Sequence, residues 1–258
     1  MSDATSLTSS RRLVGLSAFS LKLIAAIAML CDHVGAYLFP QVTVLRVIGR
    51  LAFPIFAYFI AEGCRYTRNK TKRFLMVLGL ALVCEIAYVL TSGEITGTVL
   101  VTFSCSIPMV YALQAVKASL AAEKLSCGRI SLCMALFVLS IGATVLVGYL
   151  VPMDYGIPGA LLPVFLSFLD YVPGKTPAFF QKIDRHAIRL AVFALGLVLI
   201  WRIRLRVSGE IQVYALLSVL PMAFYNGTPG PRTFKYWFYV FFPAHLLLIW
   251  MVSMLLGN

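Results

Sequence analysis

The two apolar segments within residues 21–66 carry charged side chains, and this feature constrains the fold more than any other. Asp32 and His33 lie side by side about twelve residues into the first segment, and Arg46 and Arg50 lie one helical turn apart in the second. At a rise of 1.5 Å per residue, we expect Asp32 and His33 roughly 15–18 Å into a bilayer core about 30 Å thick. A charge facing lipid at the bilayer centre costs at least about 2.5 kcal/mol. These groups should therefore face one another, as a reaction site or an interhelical ion pair.

The composition places the chain among membrane proteins. Of its 258 residues, 60% are hydrophobic and only 12% are charged, whereas a soluble domain is about 25% charged. The net charge of +12 comes largely from short loops, where basic residues set topology and contact anionic lipid headgroups. Nucleic acid is therefore not an expected partner. The six cysteines form no CxxC pair, so we predict neither a disulfide framework nor a metal site.

The apolar pattern predicts an all-α bundle of about nine membrane helices. The predicted segments are 21–39, 42–61, 74–90, 99–116, 130–150, 156–169, 188–201, 211–225 and 236–256. The sixth to eighth are shorter than the roughly 17 residues that a perpendicular span needs, so they are expected to be tilted, broken or re-entrant. Residues 1–20 are predicted to form a disordered cytoplasmic tail without a removable signal peptide. Residues 21–258 are predicted to form one membrane domain.

The loops indicate an orientation. The run RYTRNKTKR at residues 65–73 is the strongest basic stretch, which the positive-inside rule assigns to the cytoplasm. One loop disagrees, because Arg202, Arg204 and Arg206 fall outside if all nine segments cross. Either one short segment does not span, or these arginines face an internal anionic site.

Three blocks of sequence resemble one family. They are KLIAAIAMLCDHVGAYLFP with LRVIGRLAFPIFAYFIAEGCRYTRN, then MDYGIPGALLP, and finally YNG followed by KYWFYVFFPAHLLLIW. In this order they are similar to the TraX family, membrane proteins named for the pilin acetylase of conjugative plasmids, within a broader clan of transmembrane acyltransferases. The resemblance runs from about Leu21 to Trp250. The matching positions are Asp32, His33, Gly49, Arg50, Phe53, Pro54, Glu62, Gly63, Asp154, Tyr155, Gly156 and His245.

The resemblance implies a multi-pass acyltransferase of the bacterial inner membrane. It would take an acetyl group from cytosolic acetyl-CoA, as co-substrate, and deliver it to an amine or hydroxyl at or across the membrane. A pilin-like peptide, a cell-surface glycan and a lipid all stay open as acceptors, as does the oligomeric state. Two other functions also stay open: a transporter whose buried charges relay protons, and a non-enzymatic assembly factor for a pilus or envelope.

Four residues are the candidate catalytic groups. His33 is the expected general base, because an imidazole titrates near neutral pH. Asp32 is expected either to orient His245 or to pair with Arg50. Arg50 is expected to stabilise the oxyanion or to neutralise Asp32, and His245 either to form the far wall of the site or to make an interhelical hydrogen bond.

The basic loop has two interpretations. It acts as a topology signal, and it could also bind the phosphates of the CoA donor through paired cationic contacts. The candidate donor-binding residues are Arg65, Arg68, Lys70, Lys72 and Arg73.

Overall fold

The computed structural model describes residues 15–208, 210–231 and 237–256, which are almost entirely helical. The α-helices are α1 (Ala18–Tyr37), α2 (Thr43–Gly49), α3 (Ala52–Tyr66), α4 (Lys70–Ser92), α5 (Val99–Leu120), α6 (Cys127–Leu150), α7 (Gly156–Phe168), α8 (Phe179–Ile183), α9 (His186–Ser208), α10 (Val219–Ala223) and α11 (Trp237–Leu256). A 3₁₀ helix, Glu210–Ser218, leads into α10. Within the described ranges there is no strand, only an isolated bridge between Leu16 and Tyr225.

Seven helical units in the described chain are long and apolar enough to cross a membrane, with α2 and α3 counting as one. Two shorter apolar helices, Gly156–Phe168 and Ile211–Ala223, account for the remaining predicted segments. The prediction of an all-α membrane bundle is confirmed. The buried faces of α1, α3, α5, α7 and α9 form the main core. Most residues of α4, α6 and α11 are not buried in the protein and are therefore available to contact lipid.

Helix α1 begins three residues earlier than the sequence pattern predicts. The Ser17 hydroxyl accepts a hydrogen bond from the Ser20 amide and caps the helix at Ala18. Leu16 is also hydrogen-bonded through its backbone to Phe224 and Asn226. The tail predicted over residues 1–20 is therefore wrong for residues 15–20, and residues 1–14 lie outside the described part of the chain.

The second span is broken between α2 and α3 at Arg50. Pro54 has no amide hydrogen to donate to the carbonyl of Arg50, four residues earlier, and its ring would clash with that carbonyl in a continuous helix. The chain therefore turns at Arg50 and Leu51 before α3 begins at Ala52. This break lies at the level of the candidate site.

The bundle has two distinct ends. At the basic end, formed by residues 65–73, 170–186 and 223–228, Arg65 bonds to Tyr171 and Asp184, and His186 contacts the carbonyl of Ala223. At the far end, formed by residues 38–42, 93–98 and 151–155, the Asp154 amide donates to the Gly97 carbonyl. The loops of the basic end carry the strongest basic run, and residues 38–42, 93–98 and 151–155 of the far end contain no Lys or Arg, as the positive-inside rule expects. Arg202 is the exception, because α9 begins at the basic end and runs 23 residues towards the far end.

Both short segments run between the two ends. Helix α7 starts beside Asp154 at the far end and leads to Asp170, which is paired with Arg65 at the basic end. The 3₁₀ helix and α10 lead from Gln212, beside Arg50, to Ala223 at the basic end. A 3₁₀ helix rises about 2 Å per residue, so a few residues cover a long distance. The Arg202 side chain is exposed near the end of α9, so it does not face an internal anionic site; the side chains of Arg204 and Arg206 lie outside the described set.

Candidate functional site

The Asp32 carboxylate lies between two guanidinium groups. Arg50 Nη2 is 2.5 Å from Asp32 Oδ1, and Arg46 Nη1 is 3.1 Å from Asp32 Oδ2. Arg46 also donates to the Asp32 backbone carbonyl, and the second terminal nitrogen of Arg50 lies 3.5 Å from Gln212 Oε1. Of the two predicted roles for Asp32, the structure places it against Arg50 and not against His245.

Gly49 makes this pairing possible. A Cβ built on Gly49 would overlap the Asp32 side chain. With hydrogen at this position, α1 and α2 approach closely enough for the carboxylate to reach both Arg46 and Arg50. The Gly-Arg pair of the sequence motif therefore has a steric as well as an electrostatic function.

His33 and His245 form a hydrogen-bonded pair across α1 and α11, with 2.9 Å between His33 Nδ1 and His245 Nε2. His245 Nδ1 lies 2.8 Å from the carbonyl of Phe241, which can only accept. The Nδ1 of His245 must therefore carry a hydrogen. With both rings neutral, His245 Nε2 accepts from His33 Nδ1, and His33 keeps the lone pair on Nε2. This arrangement makes His33 Nε2 the atom of the pair that can take a proton.

A cavity of about 340 Å³ opens beside these groups. Asp32, His33, Arg46 and Arg50 line one side of it. The rest of the wall consists mainly of hydroxyl-bearing side chains and one further acid, namely Tyr37, Tyr88, Thr96, Thr98, Asp154 and Tyr155. His245 is buried and lines a smaller neighbouring cavity together with His33. The four predicted catalytic residues thus lie together, with His245 behind His33.

Tyr155 is fixed in this wall by an aromatic stack. Its ring lies over that of Phe53, with 3.6 Å between the ring centroids. A Cβ on Gly159 would overlap the Tyr155 side chain, so this glycine leaves space for the stack. The Phe-Pro and Asp-Tyr-Gly motifs, about one hundred residues apart in sequence, therefore meet at one wall of the cavity.

The site lies closer to the far end than the sequence analysis expects. Asp32 is fourteen residues from the start of α1 and five from its end, or about 21 Å from the basic end at 1.5 Å per residue. The expected depth was too small because the Ser17 cap adds a turn below Leu21. Among the described residues, no member of the 65–73 loop lines the cavity.

The five candidate donor-binding residues differ in what they contact. Arg65 is committed to a buried ion-pair network, 2.6 Å from Asp184 and 3.6 Å from Asp170. Arg73 donates to backbone carbonyls of α3. Both are therefore occupied by intramolecular partners. The other three side chains are exposed at the basic end: Arg68, Lys70 and Lys72.

Asp170 is the buried acid of the basic-end network. Burial raises the pKa of its carboxyl to about 6, although Arg189 and Arg65 act in the opposite direction. Lys117 donates to the carbonyls of Ser167, Phe168 and Asp170, where a cation satisfies the free carbonyls at the end of α7. This network ties α3, α5, α7 and α9 together at the basic end.

The sequence analysis did not assign several cavity residues to the site. Arg46 was expected to face the other charged groups but was not among the four candidate catalytic groups, although it precedes Arg50 by one helical turn and so faces the same acid. The hydroxyl-bearing residues of α4 and of the loop before α5 carry no local signal, since an isolated threonine or tyrosine is common in any membrane helix.

The family model of the TraX protein matches residues 17–253 of the chain. The chain belongs to the TraX family. The match spans every element that builds the cavity, from the start of α1 to residue 253 within α11.

Two relatives extend this comparison. The chain is 28% identical over 270 aligned residues to the probable fimbrial assembly protein FimC, serogroup H1, of Dichelobacter nodosus, covering 95% of this chain and 99% of FimC. It is 42% identical over 62 residues to the uncharacterized protein RP591 of Rickettsia prowazekii (strain Madrid E), 24% of each chain. No solved structure matches. The family and FimC associate this multi-pass membrane protein with pilus-related proteins.

Proposed function

We propose that this TraX family member is an acetyl-CoA-dependent acyltransferase of the bacterial inner membrane. The observation that carries the proposal is the His33–His245 pair, with its oriented tautomer, beside a polar cavity that also holds two arginines. Acyl transfer needs a base for the acceptor proton and positive charge near the developing oxyanion. The cavity offers both.

In the proposed reaction, His33 Nε2 takes the proton of an acceptor amine or hydroxyl as the acceptor atom attacks the thioester carbonyl carbon. The C–S bond breaks, and the CoA thiolate leaves and receives that proton from His33. The products are the acetylated acceptor and free CoA. Arg46 is the better placed donor to the oxyanion, because its side chain is 34% exposed and that of Arg50 only 13%. Arg50 then holds Asp32 in place.

The acetyl-CoA donor is proposed to enter from the basic end, where Arg68, Lys70 and Lys72 are exposed. Its phosphates suit short basic loops, which offer paired cationic contacts without placing charge in lipid. The thioester must then reach about 22 Å along α1 to His33, fifteen residues from Ala18. The far-end position of the cavity favours an acceptor on the side of the membrane opposite to the donor.

The match to FimC supports a pilin-like peptide as one acceptor, and it also favours a second candidate function, a non-enzymatic assembly factor. A surface glycan or a lipid is equally compatible with amine or hydroxyl chemistry.

One assay separates an enzyme from an assembly factor. Purified protein is mixed with native membrane extract and radiolabelled acetyl-CoA. Transfer of the labelled acetyl group and hydrolysis of the acetyl-CoA are then measured. We expect His33→Ala to lower the rate by a factor of about 10²–10⁴, the usual contribution of a general base. His186→Ala is the matched control, because His186 is exposed at the basic end, and it should keep the native rate. Equal rates for both variants, or no turnover by the native chain, would contradict the proposal.

A further inference from the structure

A second cavity of about 380 Å³ adjoins the cavity at His33. Three residues line both of them, namely Tyr37, Tyr88 and Thr96. The second cavity lies between α4 and α11 and is mostly apolar, and we call it the α4–α11 groove. Its α11 wall is built by Leu246, Leu247, Ile249, Trp250 and Ser253. The two cavities are therefore neighbours that share a wall, and the second one also reaches Thr91 and Glu94 at the far end.

The groove faces the lipid bilayer. Helices α4 and α11 belong to the long apolar helices. Only 17% of the 18-residue apolar stretch of each helix is buried inside the protein. Leu247 and Trp250 are 45% and 41% exposed. A tryptophan near the end of a membrane helix is typical of the level where headgroups meet hydrocarbon. A lipid in the leaflet at the far end can therefore reach the groove laterally.

The size of the groove limits what it can hold. Two turns of an α-helix with side chains, about 11 Å wide and 11 Å long, occupy on the order of 1,000 Å³. The groove offers about 380 Å³, which gives room for a single extended hydrocarbon chain, whereas a helical segment could only lie against its open side.

We propose that the acceptor is a membrane lipid, with one hydrocarbon chain in the α4–α11 groove and its amine or hydroxyl headgroup in the cavity beside His33. This inference rests on the proposed acyltransferase function. It selects a lipid over a pilin-like peptide, because the polar cavity and the apolar groove share a wall within one leaflet. The polar wall, rich in tyrosine and threonine hydroxyls, matches a headgroup that makes many hydrogen bonds.

The groove can be tested by photolabelling. The native protein is placed in lipid nanodiscs that contain a phospholipid with a diazirine in one acyl chain. After irradiation, we expect labelled peptides to include residues 87–91 and 246–250. Leu247→Trp fills the groove and should abolish this labelling. Leu248→Trp is the matched control, because Leu248 is 54% exposed on the same helix but does not line the groove, and it should be labelled like the native chain. Equal labelling of both variants would overturn the groove as a lipid site.

The chemical class of the acceptor is tested separately. Membranes that contain the protein receive radiolabelled acetyl-CoA, and the label is counted in the organic extract and in the protein fraction. We expect label in the organic extract, reduced by Leu247→Trp and not by Leu248→Trp. Label confined to protein would overturn the lipid acceptor while leaving acyl transfer intact. No transfer to either fraction would contradict the proposed function itself, and photolabelling would still decide whether the groove holds lipid.

Discussion

The two guanidinium groups that contact Asp32 differ in their exposure to solvent. Arg50 is 13% exposed and also approaches Gln212, whereas Arg46 is 34% exposed and faces the cavity. A buried charge that loses its partner is costly, while an ion pair open to water contributes little. We therefore expect Arg50 to matter most for the fold at this site, and Arg46 is the arginine that the proposed reaction would use.

This difference predicts unequal effects of two alanine substitutions. Arg50→Ala should reduce the free energy of unfolding by about 3 kcal/mol, the low end for a broken buried pair because Arg46 remains. Arg46→Ala should cost no more than about 1 kcal/mol but should reduce turnover. Denaturant titration in detergent, with an acetyl-transfer assay on the same samples, measures both quantities. Equal loss of stability in the two variants would show that Arg50 is not the anchor.

His245 is a positioning residue in this account, because it acts through His33. His245→Gln keeps an acceptor for the His33 Nδ1 hydrogen, while His245→Leu removes it. We expect the Leu variant to lose roughly 10–100-fold in kcat, the range seen when the partner that orients a metal-bound histidine is removed, and the Gln variant to lose much less. The pH–rate profile should change only in the Leu variant. Identical profiles and rates for both would exclude a positioning role for His245.

At the scale of helices, the close approach of α1 and α2 depends on one glycine. Gly49→Ala should destabilise the protein by about 1–3 kcal/mol, because the added methyl group displaces the Asp32 side chain and overpacks the contact. Gly142→Ala is the matched control in α6, where a Cβ meets no atom within 4 Å, and it should gain up to about 1 kcal/mol from helix propensity. Thermal unfolding of the two variants checks the prediction. A Gly49→Ala variant as stable as Gly142→Ala would contradict this helix packing.

The helices and one ion pair could be predicted from the sequence because both follow from local or one-dimensional physics. Long apolar runs specify spanning helices, and the cost of a charge in lipid forces Asp32 towards an arginine. The pairing of His33 with His245 spans 212 positions in the sequence, and no local pattern specifies how α11 packs against α1. The ion pairs of Arg65 could not be predicted for the same reason, because its partners Asp170 and Asp184 lie over one hundred residues away in the sequence.

At the scale of the whole molecule, the two ends have separate chemical characters. The basic end presents exposed cations to one side of the membrane, and the far end holds the polar cavity. If the CoA donor binds at the basic end, its affinity must depend on ionic strength, because exposed charges are screened within about 8–10 Å at physiological salt.

Neutralising Arg68 and Lys72 together should therefore weaken acetyl-CoA binding and flatten its dependence on salt. The double variant Lys124→Gln and Arg129→Gln removes the same charge from the loop before α6 and the first turn of that helix, where both residues are also exposed, and should retain near-native affinity. Isothermal titration at several salt concentrations measures Kd for both double variants. Equal affinities, or no effect of salt, would place the donor site elsewhere.

The most direct test of the account asks whether the cavity at His33 is the reaction site and opens at the far end. Ala36 lines this cavity, and the natural Cys127 is exposed after the fifth helix, at the basic end. Right-side-out membrane vesicles of the Ala36→Cys variant are treated with a charged, membrane-impermeant maleimide, and acetyl transfer is then measured. We predict that the introduced cysteine is labelled from outside and transfer is blocked, while Cys127 is labelled only after the vesicles are opened and its labelling leaves transfer unchanged. Native-rate transfer by a fully labelled Ala36→Cys variant, or labelling of the introduced cysteine only from inside, would contradict the account.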